Sequence, residues 1–180
     1  DSGVLTASDE SNYNVYYDAN GTLYLNNATI SGVSTTNYGA GIWFKGGDLV
    51  IYLEGNNKIN ASSNNGYSAG IFNSYDFQHG LTLTGGGSLD IGSSDANSSA
   101  YAIFIAKDIT LDNVNVTAST GKADNTRNEV IRSEAGSIYI RNSTVYAESP
   151  DNDTVPYSRG LMAGNGLDGI SITIENSTVT

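Results

Sequence analysis

Short apolar runs with period-two alternation recur along the chain at a nearly constant interval. Leu49-Val-Ile-Tyr-Leu53, Leu81-Thr-Leu83, Ile109-Thr-Leu111, Ile138-Tyr-Ile140 and Ile172-Thr-Ile174 each read as a strand with one face inward. A second apolar run precedes each of them, at residues 41–44, 70–72, 102–105, 130–132 and 160–162. A corner rich in Asn and Gly follows, and then a third short strand, as at 116–118 and 145–147. No stretch carries helical periodicity.

The corners superpose. Leu25-Asn-Asn-Ala-Thr-Ile30, Leu111-Asp-Asn-Val-Asn-Val116, Ile140-Arg-Asn-Ser-Thr-Val145 and Ile174-Glu-Asn-Ser-Thr-Val179 share one grammar. Leu53-Glu-Gly-Asn-Asn-Lys-Ile59 and Leu83-Thr-Gly-Gly-Gly-Ser-Leu89 carry one residue more. The leading apolar residues stand at 25, 53, 83, 111, 140 and 174, so six units of about thirty residues fill the chain. Strands this short cannot bury a face alone. Stacked coil on coil they form parallel sheets around a continuous core. The expected fold is all-β, a parallel β-helix of about six three-strand coils. At about 4.8 Å per coil it makes a rod on the order of 30 Å long. Residues 22–180 form this helix and residues 1–21 an N-terminal extension or cap. Asn27, Asn113, Asn142 and Asn176 share the corner position, where Asn tolerates the left-handed conformation of a sharp bend. That role also accounts for the Asn-x-Ser/Thr context of Asn27, Asn142 and Asn176.

Alternation assigns the outward faces. With Ile42 and Phe44 inward, the outward column of the first strand reads Trp43, Phe72, Phe104, Arg132 and Met162. A stripe of large apolar groups asks for a cover. Three covers fit: a flank of the chain such as the Tyr-rich stretch 13–17, a protein partner, or a sugar polymer stacked on flat rings. The next sheet carries Tyr24, Tyr52, Thr82, Thr110, Tyr139 and Thr173, a face of rings and hydroxyls suited to polysaccharide. Asp48, Asp76, Asp108, Glu134 and Asp168 fall between the first and second strands of successive units, and Asp151-Asn-Asp153 is the densest oxygen-donor cluster in the loops. In register, Asp48, Asp76 and Asp108 would make an acidic edge able to take Ca²⁺, with Asp151 and Asp153 as further ligands. A solvated acidic edge is the alternative.

Composition narrows the function. Eight Lys and Arg stand against nineteen Asp and Glu, a net charge of −11, which leaves no basic footprint for nucleic acid. No apolar run approaches the roughly 20 residues of a membrane span. There is no cysteine. His79 is the only histidine, so no histidine cluster can hold a metal. Gly85-Gly-Gly87 lacks the Lys and Ser/Thr of a phosphate loop. Asp90 and Glu54 lie on different strands, and Arg132 is a possible base of a β-elimination, with no acidic triad expected around it on its face.

The run Leu23-Tyr-Leu-Asn-Asn-Ala-Thr-Ile-Ser-Gly32, with Gly47-Asp-Leu-Val-Ile-Tyr-Leu-Glu-Gly-Asn-Asn57 and Leu81-Thr-Leu-Thr-Gly-Gly-Gly-Ser-Leu89, resembles one bacterial group. These are secreted, polysaccharide-lyase-like β-helix proteins, often labelled carbohydrate-binding, of anaerobic Gram-positive gut and cellulose-degrading bacteria. The resemblance implies a right-handed, pectate-lyase-like helix outside the cell that binds plant-type polysaccharide, often with Ca²⁺. Gly-Asp before the second strand is typical there. Here Asp remains only at Asp48 and Asp108, with Gly80, Ser137 and Gly169 elsewhere. The reading is therefore a non-catalytic polysaccharide-binding module of a bacterial surface or secreted protein, using Trp43, Phe72 and Phe104 or the Tyr24, Tyr52 and Tyr139 face. The alternatives are a structural or adhesin stalk that meets a protein partner, at the aromatic stripe or the solenoid end at Thr180, and a calcium-dependent lyase.

Overall fold

The computed structural model describes residues 13–35, 38–63, 66–73, 78–123, 127–150, 157–164 and 166–180. Among them there is no helix. Three sheets run the length of a parallel β-solenoid. The first holds β1 (Val15–Tyr17), β2 (Thr22–Asn26), β5 (Leu49–Glu54), β8 (Leu81–Thr84), β11 (Ile109–Asp112), β14 (Ile138–Arg141) and β17 (Ile172–Glu175). The second holds β4 (Tyr38–Trp43), β7 (Tyr67–Phe72), β10 (Ser99–Ile105), β13 (Arg127–Ser133) and β16 (Tyr157–Ala163). The third holds β3 (Thr29–Ser34), β6 (Asn56–Ser63), β9 (Ser88–Ser93), β12 (Asn115–Thr120), β15 (Thr144–Glu148) and β18 (Thr178–Val179). Every strand pairs in parallel with its repeat one coil away, apart from β1, which runs antiparallel along β2.

Core and corners follow from side-chain type. Leu25, Ile51, Leu53, Leu83, Leu111 and Ile140 of the first sheet meet Ile71, Ile103 and Ile131 of the second and Ile59, Ile91 and Val116 of the third. Asn27, Asn113, Asn142 and Asn176 all adopt left-handed backbone, with φ of 50°, 55°, 50° and 49°. Turning the chain there leaves the next N–H pointing along the axis, and the neighbouring coil supplies its acceptor. The Ala28 N–H donates to Asn57 Oδ1 at 2.9 Å, Val114 N–H to Ser143 Oγ at 3.1 Å, and Ser143 N–H to Ser177 Oγ at 3.0 Å.

Two expectations about register are corrected. Leu83 lies beside Ile51, not beside Leu53, so Tyr52 neighbours Tyr24 and Thr84 while Thr82 neighbours Val50. Tyr139 pairs with Thr110 and Thr173, two residues along the strand from the Tyr24–Tyr52 column. The cause is the third corner. Gly85 (φ 114°) turns directly against the coil before it, where a Cβ would lie 2.6 Å from the Leu53 carbonyl oxygen, so β8 stops short of the place where β5 turns.

The second correction concerns alternation. Register pairs in the second sheet skip Gly41, Gly70, Ala102, Val130 and Gly160. Ala102 and Ile103 both belong to the main core, as do Val130 and Ile131. Each strand therefore bends where two successive residues face inward, and outward positions fall three apart rather than two.

Candidate functional site

The outer face of the second sheet gathers most of the rings. Its columns read Tyr38, Tyr67, Ser99, Arg127, Tyr157, then Ala40, Ala69, Tyr101, Glu129, Arg159, then Trp43, Phe72, Phe104, Arg132, Met162. The third column is the outward stripe expected from sequence, and it is in register. Its environment differs along its length. Trp43 and Tyr38 are each 45% exposed, whereas Phe72 and Phe104 are 4% and 3% exposed. The two phenylalanines form a second small core with Ala69 and Tyr101, packed by Ala40 and Tyr67. They turn away from the main core yet offer no surface to a ligand. The Tyr-rich stretch 13–17 is not their cover, because β1 lies on the first sheet.

The exposed rings of this face among the described residues include Tyr38 and Trp43 of β4. Tyr38 stacks on Tyr67 with centroids 5.3 Å apart and planes 7° from parallel. Trp43 meets Phe72 edge-on at 5.5 Å and Tyr38 at 6.2 Å. Lys45 Nζ lies 4.1 Å from the Trp43 ring centroid, a cation–π contact.

The first sheet carries a second group of rings. Tyr16 of β1 pairs with Tyr24, which neighbours Tyr52, giving centroid separations of 5.9 and 5.5 Å. Tyr13 joins them at 5.8 Å from Tyr16, and its hydroxyl donates to Glu54 Oε2 at 3.4 Å. Tyr139 is not part of this group. The antiparallel β1, with Tyr13 just before it, thus adds two tyrosines to a face that the repeats alone supply with two.

Towards the C-terminal coils the stripe becomes ionic. Arg132 is completely buried and is held by Glu129 and Glu134, with Nε donating to Glu134 Oε2 at 2.7 Å. Arg159 Nη1 donates to the other oxygen of Glu129 at 2.6 Å. Burial works against the guanidinium charge, but hydrogen bonds and attraction from Glu129 and Glu134 outweigh it and hold the pKa above its ordinary value. Alternation alone did not place Glu129 beside Arg132. The bend at Val130 brings Glu129 round to the side of Arg132, and a guanidinium so paired does not give up a proton to act as a base.

The acidic edge resolves into separate roles. Asp48, Gly80, Asp108, Ser137 and Ser171 precede the strands of one column. Asp48 Oδ1 accepts the Gly80 N–H at 2.8 Å and Asp108 Oδ1 the Ser137 N–H at 2.8 Å. These carboxylates tie coil to coil and stand two coils apart, about 10 Å. Glu134 belongs to the Arg132 network instead. His79 Nδ1 lies 3.8 Å from Asp48 Oδ1. Among the described residues no three His, Cys, Asp or Glu side chains gather as a metal site. Asp76, Asp151 and Asp153 lie outside the described residues.

Sequence reasoning missed Tyr101, Glu129 and Tyr16. The small residues at 41, 70, 102 and 160 were the available signal of a bend, since a strand interior has little other use for repeated Gly. The three-sheet solenoid agrees with the fold that the family resemblance implied, but no known family model, curated protein sequence or solved structure matches the chain.

Proposed function

We propose that this chain is a non-catalytic polysaccharide-binding solenoid of an extracellular bacterial protein, secreted or held at the cell surface, with plant-type polysaccharide as its ligand. The observation that carries the reading is the pair Tyr38 and Trp43, two neighbouring half-exposed rings on β4. Ring faces match the C–H faces of sugars, and rings anchored by stacking lose little entropy on binding. The Tyr16–Tyr24–Tyr52 column is a second surface of the same chemistry. Nothing in this reading needs a base, and the buried Arg132 has no part in it.

The test is retention on insoluble polysaccharide, cellulose and pectate each assayed separately, with Trp43→Ala as the binding variant. No retention of the parent chain on either polymer would overturn the reading.

A further inference from the structure

We propose that the turn between β4 and β5 holds a discrete subsite for a single sugar ring, an inference that rests on the polysaccharide reading above. A cavity of about 290 Å³ opens there against the β1–β2 turn, lined by Tyr17, Asn20, Phe44, Gly46, Asp48 and Leu49. Its size suits one ring rather than an extended ligand. Phe44 and Leu49, ends of the core, make an apolar floor. Tyr17, 62% exposed, supplies a ring as a wall. Asp48 and Asn20 supply a carboxylate acceptor and a carboxamide that both donates and accepts, the pairing that adjacent sugar hydroxyls require.

The polar groups are held in place before any ligand arrives. Asp48 accepts the Gly80 N–H through Oδ1 while its side chain stays largely exposed. The turn bearing Asn20 is fixed by Asp18, whose Oδ1 accepts the Asn20 N–H at 2.9 Å and the Thr22 N–H at 2.8 Å. Hydrogen bonds from the Thr22 backbone, with those from Asn20, hold the Asp18 carboxyl below its usual pKa. Space is present as well: a Cβ placed on Gly46 or Gly47 would meet nothing within 4 Å. Only this coil has β1 beside it, so the later repeats do not rebuild the cavity. The exposed Trp43 directly precedes Phe44 in the chain, so a polymer stacked on Trp43 has the cavity at its side. A lone carboxylate beside rings and an amide fits a neutral ring better than a metal ion.

The probes are cellohexaose and, separately, the hexamer of galacturonate, titrated calorimetrically into the full chain. Gly46→Phe fills the cavity without a backbone clash, and Asp48→Asn keeps the acceptor for Gly80. Gly46→Phe is expected to weaken binding of the recognised hexamer at least tenfold and Asp48→Asn several-fold, with melting temperatures within a few degrees of the parent. Parent-like affinity in both variants, with binding still lost in Trp43→Ala, would overturn the subsite and leave the polysaccharide reading standing. No binding of either hexamer or either polymer by the parent chain would overturn both.

Discussion

Tyr101 lies against Phe104 with ring centroids 4.9 Å apart and planes 20° from parallel, although the two residues are three apart on one strand. On a regular strand such a pair would face opposite sides of the sheet. The bend at Ala102 turns them to the same side and buries the phenol of Tyr101. Burial pushes its pKa from the ordinary 10.0 up to about 12, with smaller opposing effects from Ser99 and Arg132.

A phenol whose folded pKa is raised stabilises the fold while it keeps its proton. The contribution is complete below pH about 10 and is lost as pH climbs towards 12. At about 1.4 kcal/mol per pH unit, roughly 2–3 kcal/mol is at stake. Tyr101→Phe should remove this component, so its stability should fall less steeply than the parent's between pH 10 and 12 in urea titrations. Parallel curves for the two proteins would contradict it.

The Arg132 network should respond unequally to its parts. Arg132→Met leaves the fully buried Glu129 with Arg159 alone and is expected to cost about 3–5 kcal/mol. Arg159 is partly exposed, and water screens what its removal uncovers, so Arg159→Met should cost about 1 kcal/mol or less. Denaturant midpoints of the two variants measure the difference.

Corner geometry gives a prediction by sign. Asn142 holds φ at 50°, and its side chain makes one exposed contact, to Asp112. Asn142→Gly should be nearly neutral, while Asn142→Ala should cost about 1–2 kcal/mol for a Cβ forced into the left-handed region. Equal losses in both variants would mean that the contact, not the backbone, matters.

At Gly70 the limit is space. An added Cβ would lie 2.5 Å from Ile91 Cγ1 and 2.7 Å from the Ala102 carbonyl oxygen. Gly70→Ala is therefore expected to cost about 1–3 kcal/mol by overpacking, read from the shift in thermal midpoint.

These particulars show what the sequence could and could not convey. The Leu/Ile spacing and the corner Asn residues specify the coil and its three sheets, because the same local requirement recurs in every repeat. Column register was legible except across Gly85, where a corner moved inward and shifted Thr82 and Tyr139 away from the Tyr24–Tyr52 column. The site was less legible. Alternation placed Trp43, Phe72 and Phe104 on one outward column, and the structure agrees. It could not distinguish the exposed Trp43 from the buried Phe104, because Tyr101, which packs on Phe104, reaches that side only through the bend. Tyr16 was equally hidden, because its place beside Tyr24 comes from an antiparallel strand outside the repeat.

The most direct measurement is retention of the parent chain, Trp43→Ala and Phe104→Leu on insoluble cellulose and pectate. The exposed tryptophan should behave as a binding hot spot, so Trp43→Ala should lose at least tenfold in affinity. Phe104→Leu should bind as the parent does and lose only stability. If Trp43→Ala is retained as well as the parent, the exposed Tyr38–Trp43 pair is not the binding surface.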